Sequence, residues 1–120
     1  MLELTTALKN KIKALEVRYV SGTGSPTSKL WIVGEAPGLE EWKALKPFVG
    51  LSGFFLDQLL KLAGVDRDKC FITNVSPVRP PENKWDRLEE TGITHLECHR
   101  ALREQIDVFK PNCVLALGAP

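Results

Sequence analysis

The stretch Leu30-Trp31-Ile32-Val33-Gly34-Glu35-Ala36-Pro37-Gly38 decides the fold. Its first four residues form an unbroken apolar run, the pattern of a strand buried on both faces. Polarity then changes abruptly. Glycine, an acid and proline follow, which is the composition of a turn leaving a strand end.

Reading outward from that strand, apolar runs alternate with stretches of helical period. Toward the amino end, Ser21–Ser28 is dense in turn residues and reads as a flexible connector. Before it, Leu4, Leu8, Ile12 and Leu15 recur at helical spacing with lysines between them. The expected division is therefore an amino-terminal helix over 1–20, a linker over 21–28 and a core over 29–120.

Toward the carboxyl end, a loop is expected from Glu35 to Leu51. Ser52 is placed to cap a helix over 53–63, which Gly64 stops. Phe55, Leu56, Leu59, Leu60 and Ala63 make its apolar stripe. Phe71-Ile72-Thr73 begins a second strand. Pro77, Pro80 and Pro81 impose a rigid loop, since proline fixes φ and lacks a ladder donor. A further helix is expected from about Thr91 to Phe109, with Cys98, Leu102, Ile106 and Phe109 on one face. Cys113–Leu117 reads as a third buried strand. The order α-β-α-β-α-β predicts the α/β class: a three-layer α/β/α arrangement on a short parallel sheet, ending after the third strand. Ligand sites in such sheets lie beyond the carboxyl ends of the strands.

Composition narrows the function classes. The chain has 120 residues, enough for one domain, and 43% of them are hydrophobic. The formal net charge is +1, so a global basic field for nucleic acid is absent and any DNA contact must use local patches. The three cysteines, Cys70, Cys98 and Cys113, form an odd set without close pairing. They read as reduced thiols of a cytoplasmic protein. No stretch approaches the ~20 apolar residues of a membrane span. Neither a GxGxxG fingerprint nor a phosphate-binding Walker loop occurs.

Three short motifs sit at element ends: Gly34-Glu35-Ala36-Pro37-Gly38, then Lys46-Pro47-Phe48-Val49-Gly50-Leu51-Ser52-Gly53, then Thr73-Asn74-Val75 leading to Arg79-Pro80-Pro81. An acid, an aromatic ring and a carboxamide thus leave packed elements and can converge on a small flat ligand such as a nucleobase. In order and spacing these motifs resemble the uracil-DNA glycosylase superfamily, most closely the family-4 type of bacteria, archaea and phages. The resemblance runs from about Leu30 to Gly118 and includes the final Lys110-Pro111 and Val114–Gly118 stretch.

The resemblance implies hydrolytic release of uracil from DNA, a base-excision step in which the nucleotide is flipped out of the strand. Glu35 would assist the developing sugar cation and orient water; the alternative is a loop acid that satisfies backbone donors. Ala36 and Pro37 would offer backbone contacts to the base or form a plain turn. Phe48 would stack on the base or serve as ordinary core. Asn74, with both donor and acceptor, would read the O4 and N3–H edge of uracil or else cap its loop. Glu41 matches a position at the site mouth, though a solvated loop acid is the favoured role. Gly50, Ser52 and Gly53 open a helix and could hold a DNA phosphate, or simply cap. Arg79, Lys84 and Arg87 could grip the DNA backbone or form a solvated basic loop.

Two departures from the family shape the remaining expectations. Family-4 proteins usually hold a four-iron cluster on four cysteines. The amino-terminal region here has none, Val78 stands where a third is found, and only Cys98 matches. No iron–sulfur cluster and no other cofactor is expected. His95, Cys98 and His99 share a helix face, but no fourth metal ligand is evident. The second departure is that the family completes its pocket with a later histidine-bearing segment after a fourth strand. A chain stopping at Pro120 is therefore expected to be a piece of a longer glycosylase, to need another polypeptide, or to act as a non-catalytic DNA- or protein-binding module.

Overall fold

Alternation along the central strand sets the layers. The computed structural model describes residues 6–118. Its strands are β1 (Leu30–Gly34), β2 (Cys70–Asn74) and β3 (Cys113–Ala116), and its helices α1 (Thr6–Ala14), α2 (Leu39–Ala44), α3 (Leu51–Ala63) and α4 (His95–Phe109). The strands form one parallel sheet in the order β2-β1-β3, with Ile32 opposite Ile72 and Leu115, and Gly34 opposite Asn74. Side chains alternate between faces along a strand. Ile32, Cys70 and Ile72 therefore share one face and pack against Leu56 and Leu60 of α3. Trp31, Val33 and Phe71 share the other and pack against Leu102, Ile106 and Phe109 of α4. This is the expected three-layer α/β/α architecture.

The two crossovers cover opposite faces. The connection leaving β1 passes over the α3 face and the one leaving β2 passes over the α4 face. Their departure in opposite directions opens a cleft at the carboxyl ends of these two strands. A third apolar cluster ties α1 to the body: Leu8 and Ile12 pack on Val78, Leu88, Ile93, Cys98 and Ala101. Lys11 Nζ also reaches Glu97 Oε1 at 2.7 Å.

Several local expectations are corrected. The 21–28 segment is pinned rather than flexible. Thr23 exchanges two backbone hydrogen bonds with Ile72, and the carbonyl of buried Pro26 accepts from Trp31 Nε1. Within the expected 35–51 loop lies α2, too short for a periodic signal. The cap of α3 is Gly50, and Ser52 lies inside the helix. Gly64 does end α3, at φ 71°. Residues 85–91 form a 3₁₀ segment, and α4 begins at His95 behind the Thr94–Glu97 capping box. Leu15 lies beyond α1, and Leu4 falls outside the described residues.

The largest difference concerns β3. Expected as a buried strand, it is exposed at all four residues. It is the edge strand opposite β2, and Val114 and Leu115 are 40% and 43% exposed. The α3 stripe splits for a related reason. Leu56 and Leu60 are buried, whereas Phe55 and Leu59 are more than half exposed. Asp57, on the opposite flank of α3, pairs with Arg67 just before β2. Leu51 and Leu62 are exposed on the same helix, at 72% and 86%.

Candidate functional site

Gly34, the last residue of β1, makes the site possible. A Cβ there would lie 2.6 Å from both Asn74 Oδ1 and Phe48 Cζ. Gly34 borders a hollow of about 230 Å³ at the carboxyl ends of the strands. Glu35, Ala36, Phe48 and Asn74 line it, with Glu41, Ser52, Leu117 and Gly118 completing the wall.

Asn74 ends β2 directly opposite Gly34. It is half-buried, and its carboxamide has no hydrogen-bond partner among the described residues. It does not cap its loop. The amide is held by the sheet register but left free to pair with a ligand. The Glu35 carboxylate, also half-buried, likewise has no partner there. The backbone carbonyls of Gly34 and Glu35 accept from Val75 and Ser76 N–H at 2.8 and 2.9 Å. These bonds tie the β1 loop to the β2 loop and fix the spacing between the acid and the amide.

Phe48 is both core and wall. It packs against the Ile32–Leu56 cluster and faces the hollow. Its φ is 52°, a left-handed conformation that bulky residues rarely adopt. Arg67 holds it there, donating from Nη2 to the carbonyls of Phe48 (2.9 Å) and Pro47 (3.2 Å), while Nη1 pairs with Asp57 at 2.7 Å. Gly53 is buried against this loop, and any side chain there would strike the Phe48 carbonyl oxygen. Such strain is sustained only where surroundings over-determine it.

Glu41 is not a solvated loop acid. It is 8% exposed, on α2, and accepts from the N–H groups of Gly38 (3.1 Å), Val49 (3.0 Å) and Gly50 (2.9 Å), with the Ser52 hydroxyl at 3.4 Å. Burial pushes its pKa up, but the bonds from Gly50, Val49 and Gly38 outweigh that and hold the carboxyl below its ordinary 4.5. One anion thus fastens the start of α2 to the start of α3 and frames the floor of the hollow.

The other expected residues take separate places. Pro37 is fully buried and does not line the hollow. The Gly50 N–H and Ser52 hydroxyl, expected to hold a phosphate, are turned toward Glu41. Arg79 donates to Asn83 Oδ1 at 2.7 Å. Lys84 pairs with Glu82, and Arg87 with Glu82 and Glu90, so the basic character of this loop is largely neutralised. His95 Nε2 meets the Trp85 carbonyl at 2.7 Å, and His95 and His99 flank the Trp85 ring. No group of three or more potential ligands converges on a metal position among the described residues.

The three thiols take separate places. Cys70 is buried under α3, Cys98 is buried in the α1–α4 cluster, and Cys113 is exposed on β3. Val78 fills its position as part of an apolar core with Leu8 and Ile12. Gly34, Arg67 and the structural role of Glu41 escape a reading of the sequence.

Residues 21–120 match the family model described as the uracil DNA glycosylase superfamily. The chain is 40% identical over 117 residues to a protein of Sulfurisphaera tokodaii named type-4 uracil-DNA glycosylase, an overlap covering 97% of this chain and 51% of that protein. Like-named proteins of Thermotoga maritima and Pyrobaculum aerophilum are 39% and 42% identical over 83% and 82% of this chain, and 50% and 48% of their own length. The chain spans about half the length of the curated relatives it matches.

Proposed function

The chain belongs to the uracil-DNA glycosylase superfamily, and on that premise we propose that the hollow at the ends of β1 and β2 receives a uracil base turned out of a DNA strand and supports hydrolysis of its N-glycosidic bond. The observation carrying this reading is the unpartnered Asn74 carboxamide facing Phe48 across the Gly34 gap. Its Nδ2 donates to uracil O4 and its Oδ1 accepts from N3–H. Cytosine presents the opposite pattern, so the wrong base strands buried polar groups. Phe48 stacks on the base, a contact of roughly 1–3 kcal/mol. Ala36 leaves room beside it.

As the bond between the sugar C1′ and base N1 breaks, its electron pair leaves with the base and cationic character develops on the sugar. The free Glu35 carboxylate lies at the hollow, where it stabilises that charge and aligns the water that adds to C1′. The test is incubation with a single-stranded oligonucleotide containing one deoxyuridine, followed by alkali. Strand scission that vanishes in Asn74→Asp and in Glu35→Ala is the expected result. Scission unaffected by either change would refute the assignment.

A second reading, a module that works with another polypeptide, is favoured by the exposed faces of β3 and the Leu51–Phe55–Leu59–Leu62 flank of α3. An open edge beside apolar surface suits an added strand and helix. Mixing with such a polypeptide is expected to slow amide exchange over 113–117. Unchanged exchange rates would set this reading aside.

A further inference from the structure

Beyond the hollow at the strand ends, the chain carries a wider one, about 370 Å³, between residues 17–21 and the end of α2. Val17, Arg18, Tyr19, Ser21 and Leu45 line it: a guanidinium, an aromatic ring, a hydroxyl and two aliphatic side chains, with no carboxylate in the lining. Backbone bonds from Val17 to Ile12 (3.2 Å) and from Val20 to Pro77 (2.7 Å) anchor one wall. The other wall is fixed by Leu45, which caps α2 in a left-handed conformation at φ 58°. Arg18 spans the two walls. Its guanidinium lies 4.9 Å from the centre of the Trp42 ring, and its Nη2 reaches the Lys43 carbonyl at 3.5 Å.

A guanidinium laid on an indole leaves its outer face available for a second flat group. Arginine planes and aromatic rings are the surfaces on which unpaired bases stack. Lys43 and Lys46 flank the same end of α2 and are exposed. The two hollows share one short connection along the chain. Leu45 lines one cavity and Phe48 the other, three residues on, so their Cα atoms are at most ~11 Å apart. Stacked nucleotides advance about 3.4 Å each along a duplex strand, and further when splayed, so this separation suits a near neighbour of the extruded base.

We propose that the hollow bounded by Arg18, Tyr19 and Leu45 is a binding subsite for an unpaired nucleotide of the same DNA strand, adjacent to the one held between Phe48 and Asn74. The assignment rests on the reading of the Asn74 hollow as a uracil site. Its consequence is a preference for single-stranded substrate, because a base can occupy the subsite only when it is not paired.

The test measures dissociation constants by fluorescence anisotropy for a labelled 15-nucleotide single strand with one central deoxyuridine. Competition by deoxyuridine monophosphate is measured in parallel. Arg18→Ala is expected to weaken the 15-mer about tenfold, in line with one lost stacked base, and to leave the mononucleotide unchanged. Arg18→Lys keeps the charge and is expected to recover the salt dependence but not the full affinity. Leu45→Trp, which fills the hollow from a position 46% exposed, is expected to weaken the 15-mer alone and provides the answer if Arg18→Ala does not fold. Asn74→Ala is expected to weaken both ligands. If Asn74→Ala weakens both while Arg18→Ala and Leu45→Trp leave the 15-mer unchanged, the subsite is wrong and the uracil site stands. Equal weakening of both ligands by Arg18→Ala also overturns the subsite, since Arg18 would then act through the first hollow. If Asn74→Ala changes neither, the uracil site fails and the subsite with it.

Discussion

The two sides of β1 are built from the same kinds of residue and end in different states. On the β2 side, Cys70–Thr73 are buried, α3 turns Leu56 and Leu60 inward, and the strand ends fasten a working hollow. On the β3 side, Cys113–Ala116 are exposed, although Val114 and Leu115 are as apolar as Phe71 and Ile72. Burial is therefore a property of what lies across the sheet, not of the strand that reads as buried. The site belongs to the buried side, with Leu117 and Gly118, among the described residues, contributing to it from the other.

That contrast is sharpest on α3, where neighbouring leucines sample both sides. Leu56→Ala is expected to destabilise the chain by about 2–5 kcal/mol, read from denaturant midpoints, because it opens a cavity against Ile32 and Ile72. A small loss there would mean the β2 side is loosely packed. Gly34→Ala comes next. Its methyl group collides with Asn74 and Phe48, so the rate of uracil release is expected to fall by roughly 10²-fold, as a misplacement of about 1 Å does. The thermal midpoint should change far less than in Leu56→Ala.

Glu41→Gln removes the anion that gathers three N–H groups and is expected to cost about 2 kcal/mol at neutral pH. Its sign with pH is definite. A carboxyl held below 4.5 in the folded state stabilises fully above that value and loses its contribution as pH falls through the lower folded value. Urea midpoints of the parent chain should therefore drop in acid more steeply than those of Glu41→Gln, with Glu97, lowered chiefly by its bond from Lys11, supplying a remaining slope in both. Leu59→Ala is the smallest, within about 0.5 kcal/mol, since Leu59 is 58% exposed. A cost matching that of Leu56→Ala would show the flank to be covered in solution, and the contrast between the two sides would dissolve.

Much of this was legible in the residues, and the failures have physical causes. The run Leu30–Val33 with its abrupt polar turn is enough to place β1 and the loop beyond it. Glu35, Phe48 and Asn74 share a hollow because each follows or joins a packed element, a local matter that spacing records. Glu41 was misjudged because its partners lie 3, 8 and 9 residues away and meet only when α2 folds. The Thr94–Glu97 box was readable but lay behind Thr91, an equally plausible start. β3 was misread because no residue of its own reports whether another layer exists. The Arg67 support of Phe48 spans 19 residues and joins two loops, and neither motif announces it.

The three thiols differ in a way that makes the exposed side chemically addressable. Burial raises the pKa of Cys70 and Cys98 and shields both, whereas Cys113 stands exposed on the edge strand. A maleimide dye or spin label should therefore attach at one position without engineering. It would report on the β3 surface, a short step along the chain from Leu117 at the rim of the site.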